Sequence, residues 1–270
     1  MVEFSVLVCC STNDVDYLFD RCIHSIIKHV KQLKSIYIVT PFKVDVQNKL
    51  SYDDVNLIIL EDKDILNEQE LGLCGWSKQQ IIKLKSNDFI CENNILVVGA
   101  DTILLKDLNI NDLYQKHHNA IYFRQHKIEN KHYLYEIERC RNINQLLQVT
   151  SNAKHLLDYI FDIFLFKKSI LEKLRYYLEC LYGKDYFCSI FPHQVENYND
   201  MVKIGEWTLY NLFIINVLKD KFHLKNGTDF LHQIHNHRDL KQYSKSHTAL
   251  HFVRKDFDIK SIDIILNSND

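Results

Sequence analysis

An aspartate stands inside ILVVGADTILL, an apolar run from Ile95 to Leu105. A buried carboxylate without a partner costs several kcal/mol, so such a residue is normally hydrogen-bonded, bound to a cation, or exposed where a strand ends. At a strand end, a carboxylate is well placed to bind a hard divalent cation. Asp101 is therefore a candidate metal ligand, although an aspartate that merely caps a turn after a strand is the commoner case.

Two further clusters combine aromatic rings with polar side chains. In the first, helical spacing places Trp76, Gln80 and Lys83 on one face, where they could border a polar ligand. A solvated helix face with one packing tryptophan is the plainer interpretation. In the second, GEWTLY, Glu206 comes just before an apolar helix and could act as a general base or bind a sugar hydroxyl. There the plainer interpretation is a carboxylate that complements the helix dipole.

The elements that must position these residues are those of a parallel β-sheet covered by helices. Helical spacing of apolar residues predicts a helix from Asp14 to Gln32, and composition predicts another from Gly75 to Asp88. Near-continuous apolar strands that alternate with helices are typical of a parallel sheet buried on both faces. Ligands bind at the carboxyl ends of such strands, so Asp101 is expected at the mouth of the sheet. The runs that predict these strands are FSVLVC, SIYIVTP, VNLIILED and NNILVVGADTILL.

The second half of the chain is less regular. A strand that leads into a long helix is expected from Ile160 to Gly183, and a further helix from Glu206 to Asp220. AIYFRQ and ALHFVR are short strand candidates. The chain has only two prolines and six glycines, and no linker separates its halves. We therefore predict a single α/β domain over residues 1–270, with a donor-binding half to about residue 115 and a variable half from about residue 116.

Composition excludes some classes of partner. The formal net charge of −2 gives no field that would indicate nucleic acid. The eight cysteines form no Cys-x-x-Cys pair, so reduced thiols in a cytoplasmic protein are expected. The opening residues, MVEFSVLVCC, carry an acidic residue where a signal peptide carries basic ones, and their apolar run is too short to span a bilayer. We therefore expect no export signal there.

Three segments, in their order and spacing, resemble a group of bacterial nucleotide-sugar-dependent glycosyltransferases with the GT-A fold. They are GWSKQQIIKLK, ILVVGADTILLKD and GEWTLYNLFI. The pattern of the group is Gly-Trp-x-x-Gln-Gln, an Asp-x-Asp-Thr strand end, a hydrophobic segment with an Arg or Lys pair, and Glu-aromatic-x-x-Tyr. The hydrophobic segment here is DIFLFKKSIL, and CCSTNDVDYLFDRCIHSI matches the group's opening strand, turn and helix. The resemblance covers about residues 4 to 215 and implies a GT-A-like, Rossmann-like, mostly parallel sheet flanked by helices.

The resemblance also implies how a nucleotide-sugar donor would bind. Asp101 would hold Mn²⁺ or Mg²⁺ against the diphosphate, and a carboxy-terminal histidine would add a ligand. The group has an aspartate where this chain has Gly99, which leaves its metal dependence open. The candidate histidines are His235, His237, His247 and His251, of which we select His247. The residues expected to contact the donor are Thr12, Asn13, Trp76, Gln79, Gln80, Lys83, Ala100 and Asp101.

On the acceptor side, the resemblance implies a role for a carboxylate, for which we select Glu206, with Asp162 as the other candidate. In an inverting enzyme, either would deprotonate the attacking hydroxyl; in a retaining one, either would stabilise the oxocarbenium-like sugar. The implied acceptor is a saccharide or glycolipid, in capsule or lipopolysaccharide synthesis at the inner face of the cytoplasmic membrane, which allows peripheral attachment there.

Two alternative functions stay open. One is a binding module without catalysis, favoured by Gly99, and the other is a nucleotidyltransferase, disfavoured because CCSTNDVD lacks a glycine-rich basic loop.

Overall fold

A computed structural model describes most of the chain. The described residues are 3–11, 19–50, 55–108, 113–115, 118–123, 131–150, 156–159, 162–194, 204–227, 231–234, 248–252 and 262–263. The strands are β1 (Phe4–Cys9), β2 (Leu33–Val39), β3 (Leu57–Leu60), β4 (Asn94–Val98), β5 (Thr102–Leu104), β6 (Tyr114–Gln115), β7 (His118–Phe123), β8 (Ile163–Lys167), β9 (Phe222–Asn226), β10 (Leu231–Ile234) and β11 (Ala249–Phe252).

The helices complete the set of described elements. They are α1 (Phe19–His29), α2 (Lys43–Lys49), α3 (Glu68–Leu71), α4 (Gly75–Leu84), α5 (Ser86–Phe89), α6 (Lys131–Leu146), α7 (Lys168–Tyr182), α8 (Tyr186–Ile190) and α9 (Glu206–Leu212). A 3₁₀ turn over Asp62–Asp64 precedes α3, and a π-helix over Phe213–Leu218 continues α9. Within the described residues, no helix combines the length and apolar character that crossing a membrane requires.

A five-stranded sheet forms the centre of the molecule, with its strands in the order β3-β2-β1-β4-β8. Strands β1 to β4 pair in parallel, and β8 pairs antiparallel with β4. All six residues of β1 are buried, as expected for a strand covered on both faces. The predicted α/β class and mostly parallel sheet are therefore confirmed, and the architecture is compatible with a Rossmann-like fold.

Two hydrophobic layers cover the sheet because successive side chains of a strand point to opposite faces. On one face, Leu7 of β1 belongs to a core that includes Ile81 of α4 and Leu209 of α9. On the other face, Val6 and Val8 belong to a core that includes Cys22, Ile23 and Ile26 of α1. Helix α1 thus packs on one side of β1, and helices α4 and α9 pack on the other.

Two small sheets accompany the main one. In the first, β11 pairs in parallel with β10 and antiparallel with β5. In the second, β7 pairs antiparallel with β6 and in parallel with β9. The first of these matters for function, since β5 starts directly after Asp101.

Several boundaries differ from the sequence-based expectations. The run NNILVVGADTILL forms two strands, β4 and β5, because the chain turns at residues 99–101 between them. The helix expected to Asp88 ends at Leu84, and the short helix α5 follows it. Helix α6 was not predicted at all. The expected strand and helix between Ile160 and Gly183 are confirmed as β8 and α7, where Gly183 follows the last helical residue with a φ of 83°.

Candidate functional site

The strand order defines where a ligand crevice should lie. From β1 the chain proceeds to β2 and β3 on one side, and then crosses to β4 on the other side of β1. Such a reversal of strand order leaves a crevice outside the carboxyl ends of the two strands that flank it, here β1 and β4. Strand β8 runs the other way, and Ile163 at its start pairs with Val98 at the end of β4. Asp162, just before β8, is therefore brought to the same edge.

The turn after β4 places Asp101 beside Asp162. The Gly99 N–H donates to the backbone oxygen of Asp162 at 2.8 Å, and the Thr102 N–H donates to the Gly99 oxygen at 3.0 Å. From the neighbouring sheet, the Phe252 N–H donates to the backbone oxygen of Asp101 at 3.1 Å. Asp101 is half-buried and Asp162 is buried. Hydrogen bonds from three parts of the chain thus fix the turn that carries Asp101.

Gly99 is where these two aspartates approach each other. A Cβ atom at this position would lie 3.1 Å from Asp101 Oδ1, 3.4 Å from Asp162 Cβ and 3.0 Å from Thr102 Oγ1. Contacts this short require the neighbouring side chains to shift by a few tenths of an ångström before a side chain can fit. The aspartate that the glycosyltransferase pattern has at position 99 would therefore be crowded in this turn, and Asp162, directly before β8, lies beside the same position.

A buried ion pair lies across the same edge. Lys83 Nζ, at the end of α4, donates to Glu206 Oε1 at 2.8 Å, and the two side chains are only 11% and 2% exposed. The Glu206 backbone N–H donates to Gln80 Oε1 at 3.2 Å. Lys83 Nζ also lies 4.5 Å from the centre of the Trp207 ring, a cation–π contact. Gln80 and Lys83 share one helix face, as predicted, but that face is buried against α9 rather than solvated.

Nearby charged groups determine the pKa of Lys83. Burial lowers its pKa, but the charges of Glu206, Cys9 and Asp162 and the hydrogen bond to Glu206 together raise it above the ordinary value. Lys83 is therefore a charged ammonium at neutral pH. Burial raises the pKa of the Cys9 thiol to about 12, although Lys83 opposes that rise, so Cys9 at the end of β1 is a neutral thiol.

The remaining predicted donor residues differ in their surroundings. Trp76 is half-buried, and its ring lies edge-on to Phe191 with the ring centres 6.4 Å apart. Gln79 is half-buried on the same helix. Ala100 is buried in the core layer that α1 covers.

Several predicted residues lie outside the described part of the chain. These are Thr12, Asn13, His235, His237 and His247. His251 lies in β11, where its backbone pairs with Thr102. Among the described residues, no group of three His, Cys, Asp or Glu side chains is placed to hold a metal ion. The assignment of His247 as a metal ligand therefore stays a prediction.

One acidic residue at this edge was missed by sequence reasoning. Asp62 follows β3, one residue beyond Glu61, and is partly buried. Burial raises the pKa of its carboxyl group, while the nearby charge of Lys78 on α4 lowers it. The signal was present, since VNLIILED ends in two acidic residues directly after an apolar strand, as ILVVGAD ends in one.

The fold and the site together define a class: an α/β protein with acidic residues and a buried lysine at the switch point of a mostly parallel sheet. Residues 9–261 match the Family of unknown function (DUF6492), and because the match spans most of the 270 residues, the chain belongs to that family. No curated protein matches the chain.

Proposed function

We propose that this protein is a glycosyltransferase of GT-A-like fold that uses a nucleotide-sugar donor. One observation supports the proposal: Asp101 Oδ1 and Asp162 Cβ lie 3.1 and 3.4 Å from the Cβ position of Gly99, after β4, and Asp162 also acts electrostatically on the buried Lys83 of the Lys83–Glu206 pair. A divalent cation and a fixed positive charge both stabilise a diphosphate. The motifs that resemble nucleotide-sugar-dependent glycosyltransferases supply these same residues, from separate segments of the chain.

The residues present fit a hard divalent cation. Asp101 would hold Mn²⁺ or Mg²⁺, with Asp162 at its side and Thr102 Oγ1, which is buried without a hydrogen-bond partner among the described residues, close by. Mg²⁺ is commonly bound by one or two carboxylates plus water and substrate phosphates, so a large protein cage is not required. When bound, the cation would stabilise negative charge on the departing diphosphate.

In the proposed reaction, the bond between the anomeric carbon and the diphosphate breaks, and its electron pair stays with the nucleoside diphosphate. The acceptor oxygen bonds to the anomeric carbon and loses its proton. The chain offers Asp162 and Glu206 as carboxylates for the acceptor side, and Asp162 is the better placed because it lies next to Asp101. The acceptor would be a saccharide or a glycolipid.

A second candidate function is nucleotide-sugar binding without turnover. The observation that favours it is Gly99, where the first aspartate of the glycosyltransferase pattern is missing and where an added side chain would crowd Thr102 and Asp101. A site with fewer carboxylates can bind a nucleotide yet stabilise the departing diphosphate too weakly for transfer.

Release of nucleoside diphosphate distinguishes the two functions. The full-length protein would be incubated with Mn²⁺ and a panel of UDP-, GDP- and CDP-sugars, with and without mixed saccharide acceptors, and release would be followed by chromatography. The proposal predicts release with one nucleotide class, with loss of that release on chelation by EDTA. Clear nucleotide binding without release from any donor would instead establish the binding module, and neither binding nor release would contradict both.

A further inference from the structure

Glu206 is fixed to helix α4 at two points. Its backbone N–H donates to Gln80 Oε1 at 3.2 Å, and its carboxylate accepts a hydrogen bond from Lys83 Nζ at 2.8 Å. The residue as a whole is only 1% exposed. A general base must reach the hydroxyl whose proton it takes, either directly or through one water. A carboxylate this enclosed and already bound to an ammonium is poorly suited to that task.

Lys83 has the better access to a ligand. A lysine ammonium carries three hydrogens, and within the described part of the chain Glu206 is the only hydrogen-bond acceptor that Nζ contacts. The Trp207 ring supports one side of the ammonium at 4.5 Å. Asp162 is among the charges that act on the Lys83 ammonium. The Lys83 side chain is 11% exposed and that of Glu206 only 2%, so Lys83 is the member of the pair that a ligand can reach with the smaller rearrangement. Two hydrogens of its ammonium have no acceptor among the described residues.

We infer that Glu206 is a positioning residue, not the base: it holds the Lys83 ammonium in place, and Lys83 binds the diphosphate of the ligand. The inference rests on the proposed function only in taking the ligand to carry a diphosphate. It reverses the sequence-based preference for Glu206 on the acceptor side, since Asp162 remains there and Glu206 acts through Lys83.

Inorganic pyrophosphate with Mn²⁺ is the probe that tests this inference without any assumption about base or sugar. Lys83→Met should weaken pyrophosphate binding by at least about tenfold in calorimetry, because a hydrogen-bonded charge is lost. Lys83→Arg should restore part of that binding. Glu206→Gln keeps a hydrogen-bond acceptor but not the charge, so it should weaken binding less than Lys83→Met does.

The double variant Lys83→Met/Glu206→Leu keeps the test available if a single variant fails to fold. It replaces the whole pair by apolar side chains and leaves no lone buried charge. If Glu206 acts only through Lys83, the double variant should bind pyrophosphate no more weakly than Lys83→Met alone. A further loss of several-fold in the double variant would show a separate role for Glu206 and overturn the inference.

A matched control exists two residues further along the chain. Lys85 pairs with Glu70, and their side chains are 14% and 4% exposed, which is close to the burial of the Lys83–Glu206 pair. Lys85 also lies over the Phe187 ring, as Lys83 lies over the Trp207 ring. Lys85→Met/Glu70→Leu should leave pyrophosphate affinity unchanged. An equal loss of affinity in this control would mean that the effect is structural, and the inference would fail.

The outcomes also separate this inference from the proposed transferase. Pyrophosphate binding that depends on Lys83, with no release from any sugar nucleotide, would refute the transferase and support the inference. If the wild type releases nucleoside diphosphate and Lys83→Met binds pyrophosphate as tightly as the wild type, the transferase is supported and the inference is refuted. A drop in kcat of about 100-fold or more in Glu206→Gln, with binding unaffected, would restore Glu206 as the base. Absence of pyrophosphate binding by the wild type would also overturn the inference.

Discussion

At the scale of single residues, the site depends on side chains that the fold gathers from distant positions. Asp101 was evident from the sequence because a carboxylate inside an apolar run needs a reason to be there. The pairing of Lys83 with Glu206 was not, since the partners are 123 positions apart and no local pattern records the contact. Sequence reasoning named most of the residues described at this edge of the sheet, but it could not say which of their side chains are in contact.

Asp101→Asn tests the assigned cation ligand directly. The substitution keeps size and hydrogen bonding but removes the charge, so Mn²⁺ affinity should fall by at least about tenfold while the melting temperature stays close to that of the wild type. Calorimetric Mn²⁺ titration and a thermal melt would measure the two quantities. Asp107→Asn, at an exposed carboxylate that pairs with His29 and Lys31, is the control and should not affect Mn²⁺ binding. If both variants bind Mn²⁺ with equal affinity, Asp101 is not a ligand of the cation.

Gly99→Ala tests the crowding of the turn. The new methyl group would press on Thr102 and Asp101, so we expect a loss of about 1 kcal/mol in the free energy of unfolding, together with weaker Mn²⁺ binding. Gly75→Ala is the matched control, because no atom lies within 4 Å of its added Cβ and alanine favours the helix. Urea denaturation measures both variants. A Gly99→Ala protein as stable as the wild type would show that the turn has spare room.

At the scale of elements, the buried parallel strands were the most predictable part of the fold. Their continuous apolar runs follow from burial on both faces, and β1 to β4 were all expected. Helix α6 was missed because charged residues, Glu136 and Arg139, share its buried face with Cys140 and Ile143 and interrupt the apolar pattern. The direction of β8 was also beyond prediction, since an apolar run of five residues reads the same either way.

Tyr210 joins two elements and offers a test at that scale. Its hydroxyl accepts a hydrogen bond from the Lys167 N–H at 2.8 Å, at the junction of β8 with α7. Tyr210→Phe removes this buried hydrogen bond and should lower the free energy of unfolding by about 1–2 kcal/mol in urea denaturation. Tyr182→Phe removes a hydroxyl from a side chain with a water-exposed surface and should cost far less. If the two losses were equal, the junction would not depend on Tyr210.

At the scale of the whole molecule, the end of the chain is tied to its beginning. Arg21 of α1 forms two hydrogen bonds, of 2.7 and 2.8 Å, with the Asp263 carboxylate. Strand β11, just upstream of that contact in sequence, hydrogen-bonds to the backbone of Asp101. The carboxy-terminal part of the chain therefore takes part in shaping the site, and the family match extends almost to this contact.

Arg21→Ala should loosen this connection. We expect a loss of about 1 kcal/mol in the free energy of unfolding, because the pair is bidentate but partly exposed. Native-state hydrogen exchange should also show faster exchange of the Phe252 amide, which bonds Asp101. Arg175→Ala, which breaks a pair with Asp88 elsewhere on the surface, should leave that amide unchanged. If the Phe252 amide exchanges at the same rate in both variants, the Arg21–Asp263 contact does not affect the site.

The antiparallel course of β8 has a consequence for how such a site can diversify. Residues that follow β1 and β4 and a residue that precedes β8 all reach one rim, so the rim is supplied by loops that enter and by loops that leave the sheet. Under the proposed function, substitutions in the segment ahead of β8 would alter this rim without changing the residues of the turn that carries Asp101. A search for ligand-contacting residues should therefore include the segment that precedes β8 as well as the segments that follow β1 and β4.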